Sequence, residues 1–259
     1  MRSNTIEVDW YAYAKEYDLL LTYNPFYQEL RREVLTYLKT WSIVDQGVIA
    51  DIGAGTGNYS VAAAEIFPQA QILHIDNNEG MNKIASEKAA NLQNFQVVSK
   101  SIDALNLDRN SLSGVICINA IYTFPDPRMT LKNIYNWLAP GGQAILVDPG
   151  RIMPLLSFKI AIARHMIKNY GLWQTLQVFR SAKAVQKQNA YIREMQVNGT
   201  FWTHTHEGFC EAVREAGFHI ASSKVCFKGC CDFVVVQKLS AAVESQEVNQ
   251  EQTKSDYLT

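Results

Sequence analysis

An apolar run, Val48-Ile49-Ala50-Asp51-Ile52, passes directly into Gly53-Ala54-Gly55-Thr56-Gly57-Asn58 and then into a helical pattern. No other stretch constrains the fold as tightly. A short, almost wholly apolar run of this kind reads as a strand buried on both faces, and such strands belong to parallel sheets with helices on either side. Glycines placed directly after it let the chain turn sharply and bring its backbone close to a ligand. The carboxyl end of the first strand in a doubly wound sheet is where nucleotides bind.

Strand and helix patterns alternate from there on, as a parallel sheet requires. Strands are predicted over 72–75, 95–98, 115–118 and 144–147, with helices over 58–67, 80–92 and 127–138. Asp126-Pro127 is a helix start, since Asp caps free amides and Pro at the first helical position loses nothing. Pro140-Gly141-Gly142 is expected to turn the chain into the fifth strand. Upstream, 10–40 reads as two helices broken at Asn24-Pro25, because the residue before proline is pushed out of the helical region. Downstream, a helical insertion over 155–195 precedes a helix over 207–216, a strand over 218–227, a turn at Gly229 and a last strand over 232–236. The chain is therefore expected to be one domain over 1–239. Its parts are N-terminal helices (10–40), a ligand-binding core (48–148), a helical cap (151–200) and a C-terminal helix and hairpin (202–238). The polar, acidic stretch 240–259 lacks large apolar residues and is expected to be a disordered tail.

Composition narrows the function. A net charge of −1 on 259 residues excludes a strongly basic surface over the whole molecule, so no nucleic-acid partner is expected. The first residues are polar and acidic, with no apolar run behind a basic segment, and a cytoplasmic location is the expectation. Five cysteines are an odd number and none forms a CxxC pair, so free thiols and no metal site are expected. Cys117 and Cys226 read as small buried strand residues.

The glycine spacing separates two ligand classes. The dinucleotide fingerprint G-x-G-x-x-G, counted from Gly53, needs a glycine at position 58, where Asn58 stands. The pattern is instead D-x-G-x-G-x-G. Asp51, two positions before the first glycine, would repel a pyrophosphate and suits a cationic ligand with an amino group and a sulfonium. Asp76 closes the second strand, where a carboxylate can accept both hydroxyls of a ribose; the competing reading is a solvated aspartate at a strand end.

Several stretches together resemble class I methyltransferases that use S-adenosylmethionine (SAM), the small-molecule group in particular. These are ADIGAGTGNYS, the HID ending the second strand, SIDAL after the third, and NAIYTFPDP followed by LKNIYNWLAPGGQAILVD. The resemblance implies an α/β, doubly wound, mostly parallel seven-stranded sheet of the Rossmann-like methyltransferase type, ending in a hairpin. It implies SAM as cofactor, with Gly53, Ala54 and Gly55 passing its methionine and ribose portions and Asp51 near its amino group. It places the ribose hydroxyls on Asp76 with Asn77 close by, the adenine between Ile102 and Asp103, and the methionine moiety against the backbone of Asn119. Asp103 reads equally as a cap or turn residue. Tyr13 and Tyr17 resemble tyrosines that cover the cofactor in relatives, and core packing explains them as well.

The acceptor is expected at the carboxyl ends of the fourth and fifth strands and under the added segments. Tyr122 lies just past the fourth strand, and no D/N-P-P-Y motif occurs there, which argues against methylation of a flat amide. His204 is a candidate base, since histidine titrates near neutral pH; alternatively Thr205 caps the next helix and His204 and His206 decorate its approach. Residues 151–200 carry eight Lys or Arg against one acid, Glu194, and many large apolar groups. They read either as a solvated face over a core or as a cap that admits a lipophilic, anionic small-molecule acceptor or rests on an anionic membrane surface. Two other functions compete with methyl transfer: an NAD(P)-dependent oxidoreductase, and a non-catalytic scaffold subunit on the same fold.

Overall fold

A computed structural model describes residues 10–240. The tail expected over 240–259 lies, beyond Ser240, outside the described residues. Two helices, α1 (Trp10–Tyr23) and α2 (Pro25–Leu38), lead into the alternating region. Asn24 separates them and its side chain accepts a hydrogen bond from the Phe26 amide, so proline and cap act together at the break. The alternating region comprises β1 (Val48–Ile52), α3 (Ser60–Ile66), β2 (Gln71–Ile75), α4 (Glu79–Lys88), β3 (Phe95–Val98), β4 (Leu112–Ile118), α5 (Pro127–Trp137) and β5 (Leu138–Asp148). Then follow α6 (Leu155–Ser181), α7 (Lys183–Val197), α8 (His206–Glu215), β6 (His219–Cys226) and β7 (Cys231–Gln237).

The strands form one seven-stranded sheet in the order β3-β2-β1-β4-β5-β7-β6. The first five are parallel, β7 runs antiparallel to β5, and β6 pairs antiparallel with β7 as the expected terminal hairpin. Alternate residues of each central strand serve opposite faces, so the sheet separates two cores. Ala50, Val115, Cys117, Leu146 and Val234 pack with α5 and α8 on one face. Ile49, Ile116, Ile145, Val147 and Phe233 pack with α2 and α3 on the other. This is the doubly wound arrangement expected from the sequence.

Two local readings are corrected and one is refined. The fifth strand begins at Leu138, not Ala144, because Pro140-Gly141-Gly142 forms an irregularity within the strand rather than a turn ahead of it: Leu112 pairs with Leu138, and the register then shifts so that Gly114 pairs with Gln143. Cys226 is only half-buried at the end of β6, whereas Cys117 is fully buried. The insertion is two helices, and α6 is itself broken at Gly171, whose φ of 83° lies in the left-handed region open to glycine.

Candidate functional site

The glycine loop crosses the carboxyl ends of β1 and β4 at close range. Gly53 has φ +68°, and a Cβ there would lie 2.4 Å from Ala120 Cβ, so no larger residue fits. The Gly53 and Ala54 amides both donate to the Ile75 carbonyl, at 2.8 and 3.1 Å, which fixes the turn to the end of β2. Asn119, just past β4, also adopts a left-handed conformation (φ 55°), and its amide donates to the Val147 carbonyl at 2.7 Å. The chain is thus bent out of the sheet on both sides of the β1–β4 crevice.

That crevice opens into a cavity of about 630 Å³, within the roughly 300–1,000 Å³ usual for small-molecule sites. It brings together every residue expected to bind the cofactor: Asp51, Gly53, Ala54, Gly55, Asp76, Asn77, Ile102, Asp103, Asn119 and Tyr17 all border it. Tyr122 borders it too, buried in a short helical turn. His204 does not. It stacks on Phe209 with ring centroids 4.7 Å apart, and its Nε2 lies 3.1 Å from Asp148 while Nδ1 lies 3.3 Å from Asp232. Thr205 does cap α8, accepting from the Gly208 amide at 3.0 Å. Both histidines thus lie at the approach to this helix, but the His204 side chain is buried there, 3 % exposed, rather than facing solvent. Burial alone would lower its pKa, but the hydrogen bonds with Asp148 and Asp232 lift it to about 9. Asp232 is drawn down to about 2, against its own burial, by His204, Arg151 and His206. This network sits behind the cavity wall: Asp148 also accepts from the Tyr122 amide at 3.1 Å.

The two carboxylates at the strand ends differ in a way that discriminates among ligands. Asp51 is 1 % exposed, and its Oδ2 has no hydrogen-bond partner. Burial pushes its pKa up to about 7 although the Ser60 hydroxyl and amide bond to it. A buried carboxylate oxygen with nothing to accept from is costly by itself, and a ligand ammonium would satisfy it. Asp76 is already engaged, accepting from the Gly55 amide through Oδ2 and the Asn78 amide through Oδ1, both at 2.8 Å. Those bonds hold its carboxylate in place and leave lone pairs for further donors. An orphaned carboxylate beside a fixed one fits a ligand with a cationic amine and a ribose. A pyrophosphate at Asp51 would be repelled, which disfavours the oxidoreductase reading.

Sequence reasoning missed the way the added segments close over this site. Asp18 of α1 accepts from Thr56 Oγ1 (2.8 Å) and Asn58 Nδ2 (3.1 Å) and pairs with Lys88 of α4 at 2.7 Å, so α1 is fastened to the glycine loop. Glu16, half a turn away, accepts from the Ala184 and Val185 amides at the start of α7, at 2.7 and 3.3 Å, a carboxylate on a helix N-terminus. The buried Tyr13 and the half-buried Tyr17 border the cavity between these two attachments, ring centroids 5.4 Å apart. From the cap come Gln188, Tyr191, Ile192 and Phe201. No motif spacing announces these residues, because they reach the site from helices remote in sequence.

The comparisons agree with this geometry. Residues 49–142 match the methyltransferase domain family. A demethylmenaquinone methyltransferase of Staphylococcus carnosus is 26% identical over 112 residues, covering 43% of this chain and 46% of that protein. A carboxy-S-adenosyl-L-methionine synthase of Staphylococcus epidermidis is 27% identical over 125 residues, covering 48% of this chain and 54% of that protein. The chain spans about half the length of these curated relatives. A SAM-dependent methyltransferase structure from Aquifex aeolicus superposes with a TM-score of 0.57 at 14% identity, covering 90% of this chain and all of that one, a likeness of fold. Residues 49–142, on which most of the cavity is built, thus carry the methyltransferase-domain match, in a fold shared with SAM-dependent methyltransferases.

Proposed function

We propose that the protein transfers a methyl group from SAM to a small, lipophilic acceptor held beneath the helical cap. The observation that carries this reading is the orphaned, buried Asp51 oxygen beside a glycine loop anchored by Asp76. Asp51 would hold the cofactor's amino group, and Asp76 with Asn77 the ribose hydroxyls. Ile102 and Asp103 would frame the adenine, the Asn119 backbone would support the methionine portion, and Gly53, Ala54 and Gly55 would let the backbone come close. When bound, SAM supplies a methyl group already activated on a sulfonium. What remains for the protein is alignment and exclusion of water, and proximity alone contributes roughly 7–11 kcal/mol in favourable cases. Tyr13, Tyr17 and Tyr122 wall the cavity for that purpose. Among the described residues no histidine borders it, so the lining favours alignment over proton removal by imidazole.

A lipophilic acceptor is supported by a second, mainly apolar cavity of about 100 Å³ between α1, α2 and the cap, which shares Tyr27 with the large one. The cap's exposed side chains add to this: Leu156 (73 % exposed), Leu172 (62 %) and Trp173 (70 %) are apolar, and Lys159, Arg164 and Lys168 are exposed as well. No helix among the described residues is long and apolar enough to cross a membrane. Lys159 also lines the small cavity, but none of the insertion's basic residues borders the large one, and we assign the charge of the others to an anionic bilayer surface on which the cap rests. We place the protein in the cytoplasm on the same reading.

Calorimetry with SAM and with NAD tests the cofactor. SAM binding with no NAD binding is expected, and the reverse would end this account. Incubation with methyl-labelled SAM and cell extract then identifies the acceptor from the labelled product.

A further inference from the structure

Helix α7 borders two spaces with two faces. Val185, Gln186 and Asn189 line the small apolar cavity, whereas Gln188, Tyr191 and Ile192 line the large one. Gln188 is 3 % exposed, and its Oε1 accepts no hydrogen bond. A buried amide oxygen is normally paired, and leaving one bare is a cost that a bound donor removes. Of the orphaned oxygens on residues that line this cavity, Asp51 Oδ2 belongs to a carboxyl group that an ammonium would draw into its ionised form, while the Gln188 oxygen is neutral and suits an O–H or N–H. The two therefore select different chemistry. Gln188 belongs to the cap, apart from every residue assigned to the cofactor, and the rings bordering the same cavity form a pair of edge-to-face contacts: Tyr122 against Phe201 (centroids 5.3 Å) and Tyr191 against Phe201 (6.1 Å). Such surfaces favour a flat apolar ring system.

We propose that Gln188 selects the methyl acceptor, its Oε1 accepting a hydrogen bond from a hydroxyl or amine on a flat, uncharged aromatic head packed against Tyr122, Tyr191 and Phe201. This rests on the cavity being a methyltransferase site, and it adds the class of acceptor: a phenol-like or arylamine-like head carrying a donor. The residue acts in binding, so its loss raises the acceptor's KM and leaves the cofactor's affinity alone.

The test uses the full chain saturated with S-adenosylhomocysteine, titrated with 1-naphthol, which carries a donor, and with 1-methoxynaphthalene, which does not. Wild type is expected to prefer 1-naphthol by about tenfold, one charge-neutral hydrogen bond. Gln188→Leu should reduce that preference to within about twofold, and Gln188→Glu, which keeps an acceptor oxygen, should retain it. Without ligands, Gln188→Leu should melt no lower than wild type, since an apolar side chain replaces an orphaned oxygen. Failure of 1-naphthol to bind better than 1-methoxynaphthalene, an undiminished preference in Gln188→Leu, or a clear fall in its melting temperature overturns the proposal. Failure of S-adenosylhomocysteine to bind overturns the methyltransferase reading instead.

Discussion

Replacing Asp51 by Asn should make the ligand-free protein more stable, by an amount that grows with pH. Burial raises the Asp51 pKa from 3.8 to about 7. Over that range the folded chain keeps a proton that the unfolded chain has released, so stability is greatest below about pH 4 and falls as pH rises, the full penalty being reached above 7. The difference amounts to about 4 kcal/mol at about 1.36 kcal/mol per pH unit. Asn has the same shape and no charge to bury, so the variant escapes this penalty. Urea unfolding of both proteins at pH 4.5, 6, 7 and 8 should show stabilities that differ by about 1 kcal/mol at the lowest pH and separate progressively above it. The same carboxylate must be ionised to hold an ammonium, so wild-type SAM affinity should fall about tenfold per unit below pH 7. The Asp51→Asn variant should bind SAM weakly at every pH. A stability difference that stays constant across this range would refute the argument, because it would show that Asp51 does not carry its proton into the folded state.

Other expectations follow from neighbouring contacts. Asp76→Ala should weaken SAM binding roughly 10- to 100-fold by calorimetry, because a charge-assisted bond to the ribose, about 1.5–3 kcal/mol, is lost and the Gly55 amide loses its anchor. Gly53→Ala should abolish SAM binding, since the added carbon meets Ala120 and the backbone sits at positive φ; normal binding by this variant would show the loop to be looser than described. His204→Gln should destabilise the fold by about 3 kcal/mol at pH 6, because its pKa is raised from 6.5 to about 9; that contribution is complete below 6.5 and disappears as pH climbs through 9, so thermal melts at pH 6 and 9.5 check the sign. Charge reversal at Lys159, Arg164 and Lys168 should abolish sedimentation with phosphatidylserine vesicles while leaving SAM affinity unchanged, and persistent vesicle binding would remove the membrane role from the cap.

The sheet was readable because its strands are short apolar runs punctuated by glycine, proline and aspartate, signals that act over four or five residues. Phe95–Val98 and Val48–Ile52 emerge with the expected bounds for that reason. The cavity's glycine loop was equally local: Asp51 and the glycines are nearly consecutive, and Asp76 follows one helix later. The start of β5 was misplaced because a Pro-Gly-Gly run within an irregular strand has the same composition as a turn. The partners of His204 were hidden because nothing near it in sequence reveals that Asp148 and Asp232, on two other strands, converge on its ring. The cap residues Gln188 and Tyr191 and the anchors Asp18 and Glu16 were invisible for the same reason. Their roles arise where helices far apart along the chain meet over the crevice.

Helix α1 carries Asp18 and Glu16 two positions apart, one gripping the glycine loop and the other the first amides of α7. A beam riveted at two points cannot lift from one support without loading the other. Displacing the glycine loop would therefore load the start of α7, the helix that bears Gln188. On the function proposed above, release of the spent donor would thereby be geared to whether the acceptor space is filled.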